Sequence, residues 1–363
     1  MPKYMIAFSQ TINKRFWLLL LLFPFAAFSQ KQDVDVFVKG IYGNPERVLH
    51  AGYQFDELGV NAVFIRRSSL NQPFYNQAKA QGCRVFVEFP TLNGKGYIEE
   101  HPEAWPINEQ GKLAEPADWF MGVCPTDPDF KAYRAEQLRE TLANYLVDGV
   151  FLDYLHWHAQ FETDQPILPE TCFCDRCTGI FETTHAIQIP KADKADRAQW
   201  ILANEEPAWR AWRNGILNTW VDDMGEILKE NQPEALLGAF YSAWFPDDHD
   251  GALYNTLGID VPSLAARVDV LSPMLFHQML VRPVTWAGDY LNWLDTVMPT
   301  PRPLVWPIVQ AHDKPGIVSP QEFGKALREG SRAPASGVMM FSEQSLLENP
   351  EKIKVMREFY QNQ

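Results

Sequence analysis

The sequence predicts an α/β protein with a TIM (β/α)8 barrel, on three observations. There are eight short β-rich apolar runs, longer stretches of helical period between them, and 363 residues to hold both. A barrel of this kind usually takes about 250 residues, so long insertions are expected as well. An open doubly wound sheet is the rival. It would bring a Gly-rich phosphate turn after its first strand, and Gly40-Ile-Tyr-Gly43 followed by Asn-Pro is not one. No organic cofactor is expected.

In chain order the apolar runs are 36–42, 62–67, 84–90, 149–155, 235–242, 268–276, 304–310 and 337–342. Each is built from Val, Ile, Leu, Met and aromatic residues, as in Val85-Phe-Val87 and Val150-Phe-Leu152. Helical patterns occupy 45–58, 73–81, 128–146, 209–229, 320–332 and 350–360. Asn44, Asp127, Ser319 and Asn349 each stand directly before a Pro at a helix start, so each is read as an N-cap. Two connections are too long for plain loops. Residues 91–127, after strand three, carry Trp105, Trp119 and Phe120; residues 157–234, after strand four, carry three of the five cysteines. Both leave C-terminal strand ends, where they are expected to wall the site. No repeat or low-complexity linker interrupts the chain, so 30–363 reads as a single domain.

Residues 1–29 read as a signal peptide. Lys14 and Arg15 precede the apolar run 16–28, with Ala27 and Ser29 as the small residues of a cleavage site. The run is shorter than the roughly 20 apolar residues that span a bilayer, so export to the periplasm or beyond is expected, without membrane insertion. The net charge of −14, from 32 basic and 46 acidic residues, makes nucleic acid and anionic membranes poor partners. Removing 1–29 takes away three basic residues and no acids. The 12 Trp, 12 Tyr and 23 Phe offer flat apolar faces with polar tips, which suit polar uncharged ligands such as sugars. Oligomeric state is left open.

Cys172, Cys174 and Cys177 lie within six residues, with Cys124 upstream. Disulfides are the default in an exported protein, but two bridges are awkward when Cys172 and Cys174 are two residues apart. A structural zinc site would use all four sulfurs; disulfide pairing and free thiols are the alternatives. Cys83 reads as a buried small hydrophobe. The Cys-x-Cys-x-x-Cys cluster after strand four, with one earlier Cys 48 residues upstream, resembles the structural zinc site of glycoside hydrolase family 42 β-galactosidases. Those enzymes are TIM barrels. The stretch Cys124-Pro-Thr-Asp-Pro with Asp148-Gly-Val-Phe-Leu-Asp153-Tyr, and Ser272-Pro-Met274 at strand six, is also similar to uncharacterised bacterial barrel proteins grouped with the glycoside hydrolases. The β-galactosidases have an Asn-Glu pair at strand four and a nucleophilic Glu at strand seven. Here Asp153-Tyr154 and Gln310 stand in those regions, so the family's catalytic residues are not carried over.

Glycoside hydrolysis needs two carboxyl groups at the strand ends, one raised in pKa and one ionised. The candidates are Asp153, Glu88 and Glu343, with Asp247, Asp248 and Asp313 in adjoining loops. Asp153 leads, because a carboxylate directly after Val-Phe-Leu is costly to desolvate. Tyr42, Arg66, Tyr154, His156, His158, Tyr241, His277, Gln310 and His312 form the expected substrate-binding set, with Trp157, Trp244 and Trp286 as stacking faces. The expectation is an exported glycosidase acting on a carbohydrate. The alternatives are a non-catalytic glycan-binding barrel and a hydrolase using the histidines to hold a metal.

Overall fold

A β-strand sends successive side chains to opposite faces, so every second residue of a barrel strand points into the lumen. The computed structural model describes residues 36–117, 120–163 and 165–363; the expected signal peptide and Trp119 lie outside them. The strands are β1 (Val38–Gly43), β2 (Ala62–Arg66), β3 (Arg84–Pro90), β4 (Gly149–Asp153), β5 (Leu236–Ser242), β6 (Val270–Leu275), β7 (Leu304–Val305), β8 (Ile308–Gln310) and β9 (Gly337–Phe341). All pairings between them are parallel, and the β5–β6 pairing closes the sheet. β7 and β8 both pair with β6 and are halves of one stave, parted at Trp306-Pro307, where proline has no N–H to give the ladder. The result is the closed eight-stave barrel that the alternation of runs and helices predicts.

The lumen is plugged by four rings. Phe64 stacks on Phe86 with centroids 4.9 Å apart and meets Phe151 edge-on at 5.0 Å; Trp306 lies 5.3 Å from Phe86. Glycines on neighbouring staves make the room. A Cβ on Gly40 would come within 2.7 Å of Phe64, and one on Gly238 within 2.4 Å of Phe151. Two residues further along each stave, one layer above the rings, stand Tyr42, Arg66, Glu88, Asp153, Phe240, Ile308 and Phe341. This layer is the floor of the site.

The helix starts follow their caps, with one exception. Asp127, Ser319 and Asn349 accept from the backbone N–H of Phe130, Glu322 and Glu351. Asn44 caps nothing: Pro45 takes the cap position, and the Asn44 Oδ1 is buried without a partner. The helix expected over 45–58 is only Glu46–His50, because the chain turns at Gly52 with φ +90°. Helices Asp175–His185, Lys194–Asn204 and Trp286–Val297 are additional to those expected. Cys83 is buried, and burial pushes its thiol up to about 12. Among the described residues, no helix is long and apolar enough to cross a membrane.

Gly238→Ala tests the floor. The added methyl meets the Phe151 ring, which the other aromatics hold in place, so a loss of about 1–3 kcal/mol of unfolding free energy is expected in a denaturant melt.

Candidate active site

A cavity of about 690 Å³ opens above the floor at the C-terminal ends of the strands. Tyr42, Arg66, Asp153, Tyr154, His156, Tyr241 and His312 of the expected set line it. Asp153 is the best-held group. Its Oδ1 accepts from the Tyr154 N–H at 2.8 Å and its Oδ2 from the Tyr42 hydroxyl at 3.3 Å. Burial raises its pKa to about 6, against the opposing pull of those two hydrogen bonds and of Arg66. Glu88 stands on the adjacent stave in the same layer, 4% exposed and not itself part of the cavity lining. Burial and then the Asp153 charge push it well above the carboxylate range, so of this pair Asp153 ionises first.

Sequence reasoning missed a third carboxyl. Glu162 lines the cavity from the segment after β4, and burial, followed by the charge of Asp153, raises it to about 8. It sits beside no strand end and in no motif; only its place in an aromatic-rich insertion could have marked it. Phe120, Phe161, Phe276 and Phe341 also line the cavity. Phe120 stacks on Tyr154 with centroids 5.4 Å apart and on His158 at 5.5 Å.

The remaining expected residues lie elsewhere. Glu343 is buried against β1, with Arg47 3.6 Å from its carboxylate. Gln310 is a strap: its Oε1 accepts from the N–H of Gln278 and Met279, and its Nε2 donates to the carbonyls of His312 and Lys314. It ties the loops after β6 and β8 and has no valence left for a substrate. His158 is likewise spent, accepting from the Gly122 N–H at 3.0 Å and donating to the Glu115 carbonyl at 2.8 Å. His277 pairs with Glu322 at 3.0 Å. Trp157, Trp244 and Trp286 are buried and absent from the cavity lining. Asp248 pairs with Arg282 and Asp313 with Lys352.

The histidines do not converge. His156 holds the Trp157 carbonyl at 2.8 Å through Nδ1, and burial lowers its pKa to about 4. Among the described residues, the four cysteines are the one cluster suited to a metal ion. Their sulfurs all lie within 4.8 Å of one another. Cys124 is 3.5 Å from Cys177 and 3.8 Å from Cys174, close to the edge of a tetrahedron with metal–sulfur bonds of about 2.3 Å. All five cysteines are free thiols, so no disulfide forms in this structure. The N–H groups of Ile107 and Cys177 point at the sulfurs of Cys172 and Cys174. The donor set fits a metal. It joins the two insertions, as do the Asn108–Thr171 bridge and the Phe173 N–H bond to the Ile107 carbonyl.

No known family model matches the chain, and no curated protein sequence resembles it. Solved structures do. The glycoside hydrolase domain of PgaB (BpsB) from Bordetella bronchiseptica aligns at a TM-score of 0.66 and 12% identity, over 88% of this chain and 98% of that one. A β-galactosidase from the psychrophilic Marinomonas ef1 aligns at 0.63 and 11% identity, over 89% of this chain and 58% of that one. A catalytic mutant of a GH42 β-galactosidase from G. stearothermophilus aligns at 0.62 and 12% identity, over 90% of this chain and 57% of that one. The chain thus spans little more than half the length of those β-galactosidases. At these identities the likeness establishes the shared barrel.

Two variants test the wall. The purified wild type is expected to retain a metal that Cys174→Ser loses, and the variant to melt at a lower temperature, as read by elemental analysis and calorimetry. His158→Ala leaves the Gly122 N–H and the Glu115 carbonyl unpaired, so a destabilisation of about 1–3 kcal/mol is expected with metal content unchanged.

Proposed function

We propose that this protein is an exported glycoside hydrolase that cleaves a glycosidic bond of a poly- or oligosaccharide in the barrel cavity. Asp153 is the ionised carboxylate and Glu162 the carboxylic acid. The observation that carries the reading is the split between them: two carboxyl groups line one cavity, and their environments hold one near 6 and the other near 8. At neutral pH one is charged and one keeps its proton, which is the combination glycosidic cleavage uses. The acid protonates the leaving oxygen; the carboxylate attacks the anomeric carbon or activates water. Glu88 keeps its proton beside Asp153, so the floor carries little negative charge besides that of Asp153 itself.

The surroundings support the same reading. Tyr42 and the Tyr154 N–H fix both oxygens of Asp153, so its orientation is set before substrate arrives. Aromatic faces from both insertions give a sugar ring something flat to lie on. The solved structures of the same barrel include glycoside hydrolases. Export rests on the signal-peptide pattern of residues 1–29. For the thiol tetrad we propose zinc, held by Cys124, Cys172, Cys174 and Cys177. When bound it supplies cross-linking alone, since four sulfurs leave no open position for a substrate.

The test is hydrolysis of a mixed glycan panel by the protein without residues 1–29, read by released reducing ends. Asp153→Asn is expected to lower turnover by roughly a thousandfold or more, with melting unchanged. Undiminished activity in that variant would remove Asp153 from the mechanism. The rate should rise as pH increases through about 6, where Asp153 ionises, and fall as pH increases through about 8, where Glu162 loses its proton. Glu162→Gln should remove the alkaline fall together with most of the turnover. An alkaline limb that persists in Glu162→Gln would assign it to another group.

A further inference from the structure

The cavity also carries polar groups that the protein itself does not satisfy. Ser242, at the end of β5, is 2% exposed, and its Oγ has no partner among the described residues. His312, after β8, is 9% exposed, and its Nδ1 has none either. Both line the cavity. A buried hydroxyl or ring nitrogen left unpaired costs about 1–3 kcal/mol, so the two together mark a place that a ligand completes.

Lys314, an exposed residue, lines the same cavity. Its backbone is pinned to the barrel, because Gln310 donates to its carbonyl at 2.9 Å. The carboxylates that could neutralise its ammonium are committed elsewhere. Asp313 takes the fully buried Lys352 ammonium at 2.8 Å and the Val318 N–H at 2.8 Å; Glu322 takes His277 and Gln278. Lys314 therefore has no ion pair among the described residues. Burial holds His312 neutral near neutral pH; Asp313 and a hydrogen bond to the Phe341 backbone oppose it, and Lys352 and Lys314 add to it. Besides the carboxyl groups and the Arg66 guanidinium of its floor, the cavity thus carries unpaired hydrogen-bonding groups at Ser242 and His312 and a second cation, Lys314, on the segment after β8.

We infer that Ser242, His312 and Lys314 form a recognition subsite for an oxyanion on the sugar, either a uronate carboxylate or a sulfate ester, so that the substrate is an anionic glycan. The inference rests on the glycosidase reading and narrows it. An anionic substituent is drawn to Lys314 and repelled by Asp153, whereas Arg66 already faces the Asp153 charge, so Lys314 is the cation left for the substrate. The serine hydroxyl donates to one of its remaining oxygens, and the neutral imidazole accepts from a neighbouring ring hydroxyl through Nδ1.

Calorimetry on the Asp153→Asn protein tests this with size-matched oligogalacturonate, sulfated galactan and neutral galactan oligosaccharides. One anionic ligand is expected to bind roughly tenfold or more tighter than the neutral one. That gain should shrink as salt rises from roughly 50 to 300 mM, disappear in Lys314→Met and survive in Lys314→Arg. Preference for oligogalacturonate identifies the carboxylate; preference for the sulfated ligand identifies the ester. Equal or tighter binding of the neutral ligand, unchanged in Lys314→Met, overturns the subsite. If the wild type also cleaves that neutral glycan, the glycosidase reading stands without it. Binding of none of the three overturns the subsite as well, and cleavage of the mixed panel then decides the broader reading by itself.

Discussion

Four aromatic rings closing the barrel from within are the constraint on which the site depends. Because Phe64, Phe86, Phe151 and Trp306 fill the lumen, the next inward position on each of their staves has nowhere to go but above them. The strand period of two then delivers Arg66, Glu88, Asp153 and Ile308 to one surface without any loop having to place them. The rings also exclude water from below. A carboxyl group on this floor is solvated from one side only, which is why burial heads the causes of the raised pKa of both Asp153 and Glu88. The glycines at 40, 149 and 238 belong to the same device. A side chain at any of them would occupy the space of a ring and lift the floor.

The walls are held by a different kind of force. The segments after β3 and β4 contain few strand pairings, only isolated bridges such as Asn93–Gly122 and Gln160–Ile167. Cross-links between the two segments replace a sheet. The cysteine tetrad joins Cys124 of the first segment to three thiols of the second, and His158 joins the second segment to Gly122 and Glu115 of the first. Arg210 and Arg213, on the long helix Glu206–Asn231, add a clamp on Glu170 and on the carbonyl of Asn255. Phe120 and Phe161, which line the cavity, lie within or next to these cross-linked stretches. The thiol tetrad and the aromatic lining are therefore mechanically one unit, although no sulfur faces the cavity.

Much of the barrel was legible because its evidence is local. Each stave is a short apolar run, and three of the four Pro-led helices have the expected side-chain cap. Asp153 was legible for a related reason: a carboxylate ending a buried run is anomalous wherever the chain goes next. The polar residues were harder, because their role depends on which valences the fold has already used. Gln310 and His158 have the chemistry of substrate binders and spend all of it on backbone groups. Trp244 has the form of a stacking face and is packed beneath Phe161 instead. Glu162 was missed for the converse reason. Its sequence neighbours are ordinary, and only the folding of the insertion over the floor makes it a desolvated acid.

The geometry at Asp153 shows how one negative charge is kept where several carboxyl groups crowd together. Like charges in a desolvated space cannot all ionise, so the group with the best hydrogen-bond donors keeps the charge. Asp153 has two such donors, and one of them requires unusual backbone. Tyr154 sits at φ +53°, a left-handed conformation uncommon for a non-glycine residue, and in it the N–H reaches the Asp153 Oδ1. Its ring lies nearly parallel to Phe120, an interplanar angle of 6°, and that contact offsets part of the conformational cost. The backbone that turns the chain out of β4 and into the second insertion thus also fixes which carboxylate is charged. The insertion supplies Glu162 a few residues later, and the charge it meets there is the one its own point of departure stabilises.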